Sequence, residues 1–589
     1  MNQSNCWAVD FETTTDENDC RVWAYGGCKI GQPNNFVHGI NITDFFKWCK
    51  SEKNPTMYFH NLKFDGIFLI THLIFDMGFK WVKDRDEAEE NTFTTLISDM
   101  GQFYQIEVYF KVYSSPKAKR KKFKSVTFLD SLKKIPFPVK VVAKAFNLSI
   151  KKGELDYKKF RPIGHQLTDD ELDYLRNDVQ IMAEALHIQF EQGLTAMTVG
   201  SDALNGYKKI EKHFNHLFPV LPMNIDDEIR KAYRGGFTYV AKRYQGRDIG
   251  KGIVFDVTSL YPSVMYYRKL PWGNPEHFEG RYQQDDEMPL FIQKMSCCFK
   301  IKDKHIPTIQ VKHNPLFSGE EYLESSEVEI DGEIVDEPVT LHLSSVDLML
   351  FTKHYKIWNV EFLGGWKFQE CTGVFKEYID YWIGVKEKAT IEKNEAIRTL
   401  SKLMLNSIYG KFASSMDVTG KHAIKDGDII RFIPDHHEWD EKLEKYVPND
   451  DLREYKDPVY TAMGVFITSW ARYITISSAQ DNYDRFIYAD TDSLHLEGDE
   501  MPKDLDIDPI RLGAWKHECT FEYGRFLRPK TYVEYYNDKL HVTACGMPDP
   551  CKAHVTWENF REGLSVPGKL VPKIVKGGVV LEERNFTII

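Results

Sequence analysis

Apolar residues interrupted by acids open the chain at Ala8-Val9-Asp10-Phe11-Glu12-Thr13, the pattern of a strand. Side chains on a strand repeat every two residues, so Asp10 and Glu12 share a face. The next apolar run, Ile67 to Ile74, is helix-like and follows Tyr58-Phe59-His60-Asn61-Leu62-Lys63-Phe64-Asp65-Gly66. If that lead-in is helical, Asn61 and Asp65, four residues apart, lie on one face. Thr168-Asp169-Asp170-Glu171 has the spacing of a capping box. It predicts a helix carrying Leu172, Tyr174, Leu175, Asp178, Ile181, Met182 and Leu186, with Tyr174 and Asp178 one turn apart. Gly252 to Val257 reads as a strand that delivers Asp256 to a turn and then to a helix near Tyr261-Pro262.

From residue 268 to 365 the periodicity loosens into Pro, Gly, His and charge, with strand-like pieces at Ile306–Val311 and Val339–Leu343. Helical spacing returns over 373–412. There Arg398, Lys402, Asn406 and Tyr409 fall within an arc of about 80° at helical pitch. Residues 415–455 are polar and rich in turn formers, which predicts loop, with Asp435-His436-His437 exposed rather than metal-binding. A helix is predicted over 463–479. It is followed by the strand Ile487-Tyr488-Ala489, a tight turn at Asp490-Thr491-Asp492-Ser493 and a return strand from Leu494. Lys530 precedes one more strand-like run. Strands and helices mix throughout, so the fold class is α/β and multidomain.

The 589 residues are too many for one domain and suggest about three to five. With 42% hydrophobic and 14% aromatic residues, several cores can form. No apolar run is long enough to cross a membrane, and the N-terminus lacks the basic and apolar segments of a secretion signal. The ten cysteines are scattered without a Cys-x-x-Cys pair, which disfavours a zinc site and fits a reducing compartment. Cys545 and Cys551 are expected to be free thiols. A net charge of -11 is the wrong sign for a simple polyanion binder, so any nucleic-acid track must be local. The basic run Lys117 to Lys124 is a candidate, or else a solvated hairpin tip.

Two carboxylates on one hairpin tip repel, and a divalent cation would relieve the repulsion. Asp256 could join Asp490 and Asp492 in an oxygen-rich cluster for hard cations. Two cations about 3.5–4 Å apart suit in-line phosphoryl displacement. Asp10, Glu12, Asp65 and Asp178 make a second set, sufficient for two-metal hydrolysis with Tyr174 orienting water. The bland alternatives are a turn that favours Asp and Ser and four unrelated surface acids. Tyr233-Arg234-Gly235-Gly236 combines close backbone approach with a cation and an aromatic, which suits a phosphate track or an ordinary turn.

Asp256-Val257-Thr258-Ser259-Leu260-Tyr261-Pro262, Lys402 to Gly410 (with Asn406 and Tyr409) and Tyr488-Ala489-Asp490-Thr491-Asp492-Ser493 resemble, in order, the three catalytic motifs of family B DNA polymerases. Over nearly the whole chain the resemblance is to the protein-primed polymerases of small Bacillus phages. It implies an RNase H-like 3′–5′ exonuclease domain followed by a right-hand palm, fingers and thumb with two insertions. The exonuclease would span residues 1–195 and the palm residues 196–267 and 456–544. A first insertion contacting the priming protein and DNA would span 268–371, the fingers 372–414, a second insertion for processivity and strand displacement 415–455, and the thumb 545–589.

In the polymerase site the resemblance implies that Asp256, Val257, Asp490 and Asp492 hold two Mg2+ (Mn2+ substituting) and that Tyr261, Arg398, Lys402, Tyr409 and Lys530 bind the nucleotide. Lys386 or Lys393 would add a phosphate contact. In the exonuclease, Asp10, Glu12, Asp65 and Asp178 hold two metals, Tyr174 and Lys152 assist, and Thr13, Asn61 and Phe64 hold single-stranded DNA. Tyr233, Gly235 and Gly236 bind template between the two activities. Partners would be primer-template DNA, deoxynucleoside triphosphates and a terminal protein primer. The enzyme would act as a monomer, or as a heterodimer with that protein, in the cytoplasm of the infected bacterial host. A polymerase extending nucleic-acid primers alone, a stand-alone nuclease and a DNA-binding scaffold remain the alternatives at this point.

Overall fold

The computed structural model describes residues 5–113, 121–310, 321–330 and 332–589. The basic run at 117–124 lies partly outside them, as does Val311.

The N-terminal unit is built on β1 (Cys6–Thr13), β2 (Val22–Lys29), β3 (Gln32–Gly39), β4 (Thr56–Phe59), β5 (Lys80–Trp81), β6 (Thr92–Ile97), β7 (Phe103–Tyr113) and β8 (Lys122–Asp130). These form a mixed sheet in the order β3-β2-β1-β4-β8-β7-β6-β5, with β1, β4 and β8 parallel. Helix α1 (Leu62–Phe75) follows β4, and α2 (Asp169–Glu191) lies across β1 and β2. Alternation on β1 sorts its two faces. Trp7, Val9 and Phe11 join one aromatic core with Phe45, Phe59 and Phe128. Cys6 and Ala8 join the other, with Val179, Met182 and Leu186 of α2. Asp10 and Glu12 share the parity of Cys6 and Ala8, so they emerge on the α2 side. The capping box is present: Thr168 Oγ1 accepts from the Glu171 N–H and Glu171 Oε2 accepts from the Thr168 N–H.

The central unit contains β9 (Thr238–Val240), β10 (Gly252–Val257), α3 (Leu260–Tyr267), α4 (Lys376–Ile391), α5 (Glu395–Ser407), α6 (Thr461–Asp481), β11 (Phe486–Asp490), β12 (Ser493–Glu497) and β13 (Trp515–Phe521). Its antiparallel sheet runs β13-β10-β12-β11-β9 and is backed by α6. α6 buries residues on nearly every face, among them Thr468, Ser469, Arg472 and Thr475 as well as its apolar side chains.

Three sequence expectations change. Residues 268–365 are not loose: strands Lys269–Phe278, Leu290–Ile301, Val339–Ser344 and Tyr355–Thr372 form a four-stranded sheet. Register shifts at Gln293/Met295 and Ser296/Cys298 break the two-residue alternation that would have announced it. Within that region, strand at 306–311 shrinks to Ile309–Gln310. The helical stretch 373–412 is two antiparallel helices, α4 and α5, separated by Lys393 at φ 56° and capped at Asn394, whose side chain accepts from Ile397, followed by a short helical turn Tyr409–Phe412 that carries Tyr409. Residues 415–455 are not an open loop. They carry two hairpins, Lys421–Asp426 with Ile429–Pro434 and His437–Asp440 with Lys445–Pro448. Asp435, His436 and His437 are half-buried there rather than exposed, and Asp435 accepts from the His422 ring at 2.7 Å.

At the C-terminus Ser565–Val575 pairs with Gly578–Thr587. The tip of that hairpin reaches the N-terminal unit. Val579 and Val580, together with Ala423 and Ile430 of the first 415–455 hairpin, are buried in the same aromatic core as β1. All ten cysteines are free, Cys545 exposed and Cys551 buried.

Candidate active sites

At the first site, β1 presents Asp10 and Glu12, the first turn of α1 presents Asp65, and α2 presents Asp178 and Tyr174. Glu12, Asp65 and Asp178 are buried. Burial and then the charge of Asp178 push the Asp10 carboxyl up to about 7. Glu12 is raised well above the usual range by burial and by Asp10 and Asp178, and Asp65 by burial and Asp10. Asp178 is raised by burial and pulled back by Lys152, whose Nζ donates to its Oδ2. Asp178 Oδ1 is buried without a hydrogen-bond partner. The Tyr174 hydroxyl lies 2.6 Å from that of Tyr157, and Lys152 Nζ sits 5.4 Å from the Tyr174 ring centre.

At the rim, Thr13 follows a register break in the β1–β2 ladder, Phe64 is half-buried and Asn61 is exposed. Asn61 is not on the helix face it was expected to share with Asp65. It is left-handed at φ 76° and turns the chain from β4 into α1, with its N–H donating to Asp130 Oδ1.

The second site forms where three adjacent strands end. Ser493 pairs with Asp256 on one side and with Asp490 on the other, and the Val257 N–H donates to the Asp492 carbonyl at 2.7 Å. Register therefore brings Asp256 beside two carboxylates more than 230 residues away in sequence. Thr491, between the two Asp residues, has φ 63°, and Ser259, in the turn after Asp256, has φ 56°. Left-handed backbone at a β-branched residue is strained and persists where its surroundings enforce it. The Thr491 N–H donates to the Phe237 carbonyl, and the Thr491 carbonyl accepts from Thr475.

Asp490 is held on every side: by Thr238 Oγ1 at 3.1 Å, by the Tyr488 hydroxyl at 3.2 Å, and by Lys530 Nζ at 2.7 and 2.8 Å. Lys530 is thus no passive surface residue, although in this structure its ammonium meets Asp490. Lys516 Nζ lies 3.3 Å from Asp256 Oδ2. Burial, then Asp256, raises Asp492 to about 6, while burial raises Asp256 against the pull of Lys516.

Tyr261 and Tyr409 stack with ring centres 4.0 Å apart, and Tyr409 feels the charge of Asp492. Lys402 and Arg398 project from α5, and the Lys402 ammonium is held below its usual range by burial, then by Arg398, Lys386 and Lys516. Of the two lysines left open by the sequence, Lys386 on α4 is the one close enough to be felt at Lys402, whereas Lys393 lies exposed in the α4–α5 turn. Tyr233 is half-buried. The backbone of Arg234 and Gly235 accepts from Arg472, which also makes a buried ion pair with Asp347. A Cβ on Gly236 would stand 2.5 Å from Thr491 Oγ1, so glycine is required there.

Among the described residues no three His, Cys, Asp or Glu side chains already close on a metal position. The donor set nonetheless fits a hard cation. Every donor is a carboxylate, Asp10, Glu12, Asp65 and Asp492 are raised by burial and by neighbouring carboxylates, and Asp178 keeps one buried oxygen unpaired. A lysine ammonium rests on one carboxylate of the first set and on two of the second. Tyr157, Thr238 and Lys516 were missed from the sequence because no motif marks them; register and tertiary packing alone bring them in.

A family model described as DNA polymerase type B, organellar and viral, matches residues 49–508. The chain belongs to that family. The type B match starts after Asp10 and Glu12 and stops before Lys516 and Lys530, but full-length relatives cover both ends. The DNA polymerase of Bacillus phage M2 is 47% identical, with 99% of each chain covered, and that of Streptococcus phage Cp-1 is 32% identical over 99% of this chain and 98% of its own. The solved structure of phi29 DNA polymerase complexed with primer-template DNA and incoming nucleotide substrates superposes with a TM-score of 0.89 at 45% identity. It covers 99% of this chain and 100% of its own. The multidomain family B architecture is therefore shared, and no helix among the described residues is long and apolar enough to cross a membrane.

Proposed function

We propose that the chain is a DNA-directed DNA polymerase that primes on a terminal protein, displaces strands processively and proofreads with a 3′–5′ exonuclease. The observation that carries the polymerase reading is the convergence of Asp256, Asp490 and Asp492 on adjoining strand ends, with Tyr409 of the Tyr261–Tyr409 stack close enough to feel the Asp492 charge. The stack would receive base and sugar, with Tyr261 excluding a 2′-hydroxyl by contact. Lys402, Arg398 and Lys386 would neutralise the triphosphate, and Lys530 keeps Asp490 oriented. Asp256, Val257, Asp490 and Asp492 would hold two Mg2+ ions, which when bound lower the pKa of the primer hydroxyl and stabilise the leaving oxygen. Positioning and electrostatics supply most of the rate in such transfers.

In the first site Asp10, Glu12, Asp65 and Asp178 would hold the metals of hydrolysis, Tyr174 would orient water, and Thr13, Asn61 and Phe64 would seat a frayed 3′ end. The N-terminal unit would be the exonuclease and the central sheet the palm, with α4 and α5 as fingers and the C-terminal hairpin as thumb. Support for strand displacement comes from that hairpin and the Lys421–Pro434 hairpin meeting on the N-terminal unit. Terminal-protein priming in an infected bacterium rests on likeness to the phage relatives.

Asp490→Ala is expected to abolish primer extension while degradation of single-stranded DNA continues, and Asp10→Ala with Asp65→Ala to do the reverse. Full synthesis by Asp490→Ala, or unchanged degradation by the double variant, overturns the corresponding site.

A further inference from the structure

The triphosphate-binding face assigned above is made of fingers residues. The palm contributes a cation of its own. β13 is the edge strand beside β10, and antiparallel register sets Lys516 directly opposite Asp256. Its ammonium reaches Asp256 Oδ2 at 3.3 Å and Glu518 Oε2 at 3.4 Å. Neither contact is short, and the side chain remains 36% exposed, so the ammonium is free to turn toward a ligand entering over Asp256. Lys516 also bears on the fingers cations: Lys402 feels repulsion from Arg398, Lys386 and Lys516, offset in part by Glu395. Arg398 is partly matched by Glu395 at 2.9 Å, while Lys402 is not among the ion pairs of the described residues. Four like charges converging from two helices and one strand are unfavourable in isolation and become favourable when a polyanion lies between them.

We infer that Lys516 is a palm-side contact to the polyphosphate of the incoming nucleotide and to the pyrophosphate that leaves, opposing Lys402 across the cleft. This rests on the polymerase reading of the second site. Lys516 would bind the non-transferred phosphates, so it acts on substrate affinity and product release more than on the chemical step. The competing role is a fixed counter-charge that only orients Asp256. That role would alter turnover and leave polyphosphate affinity unchanged.

The test compares the intact chain with Lys516→Gln, Lys516→Arg and Lys402→Ala. It measures single-nucleotide incorporation, product inhibition by inorganic pyrophosphate, and pyrophosphate binding by calorimetry without turnover. Lys516→Gln is expected to raise the nucleotide KM and weaken pyrophosphate binding by about ten-fold, with kcat changed by less than about three-fold and Lys516→Arg recovering most of the loss. Equal single-strand degradation and melting temperature in all variants would exclude misfolding. An unchanged KM and unchanged pyrophosphate binding in Lys516→Gln, with both altered in Lys402→Ala, overturns the role of Lys516 and leaves the site reading intact. No effect in either variant overturns both.

Discussion

Tyr157 shares a 2.6 Å hydroxyl contact with Tyr174, and the Tyr174 ring packs beside Lys152, the partner of Asp178. Three side chains thus fix one another next to four carboxylates. Removing the outermost hydroxyl frees Tyr174 to rotate. Tyr157→Phe is expected to slow degradation of single-stranded DNA by about ten-fold without changing primer extension; measured nuclease rates equal to the unaltered chain would dissociate Tyr157 from that site. At this scale the acids were legible in the sequence. Asp10 and Glu12 announce a face by alternation, and the Asp490–Asp492 pair announces a charged turn. Their partners were not. Lys516 gains meaning from a strand register, and Tyr157 from an irregular segment folded back onto α2. Asn61 was misplaced because its left-handed backbone keeps it outside the helix, which begins one residue later at Leu62.

Elements were readable where one face dominates and obscure where local geometry breaks the period. α2 was anticipated from its capping box, and α6, although buried on nearly every face, as a helix over 463–479. The 268–365 sheet was hidden by bulges, and the α4–α5 hairpin by a single left-handed Lys393 inside otherwise continuous helical spacing. The same region carries a pH-sensitive group at the end of the helix Ser345–His354. His354 is fully buried, its Nδ1 lies 2.8 Å from the Ile306 carbonyl and its Nε2 lacks a partner. Burial lowers its pKa to about 4. A base with a depressed folded pKa takes up its proton more readily when unfolded, so its contribution to stability is lost as pH falls from about 6.5 toward 4. Asp10 and Asp492, raised to about 7 and about 6, act with the opposite sign in the same range, so the effect of His354 must be read as a difference. Between about pH 7 and about pH 5 the parent should lose roughly 1–2 kcal/mol more than His354→Gln in urea unfolding; parallel pH profiles would contradict this.

Across the whole molecule, the C-terminal hairpin closes the structure onto its N-terminal unit. Gly577, at φ 91°, brings the chain so close that a Cβ would lie 2.1 Å from the Cys20 carbonyl oxygen, and a Cβ on Gly578 would lie 2.2 Å from the Phe68 ring. Lys573 pairs with Glu17 at 2.6 Å, and Lys576 reaches Asp428 of the 415–455 region at 3.3 Å. Trp81 stacks on His422 with ring centres 4.0 Å apart, tying that region to the same unit. None of this closure was legible in sequence, because it joins residues between 148 and 557 positions apart that only the folded chain brings together. Gly577→Ala would force the tip away. With a left-handed penalty of about 1–2 kcal/mol, products made per binding event in the presence of a DNA trap should shorten by roughly ten-fold, while single-nucleotide incorporation is unchanged. Unaltered product length would separate closure from processivity.

The central claim, that one chain polymerises and displaces strands, is tested most directly by primer extension on a primed single-stranded circle, with magnesium, four deoxynucleotides and no accessory protein. Products longer than one circle are predicted. A primer that only shortens from its 3′ end, under conditions where the first site is active, would contradict the polymerase assignment and leave the chain a nuclease.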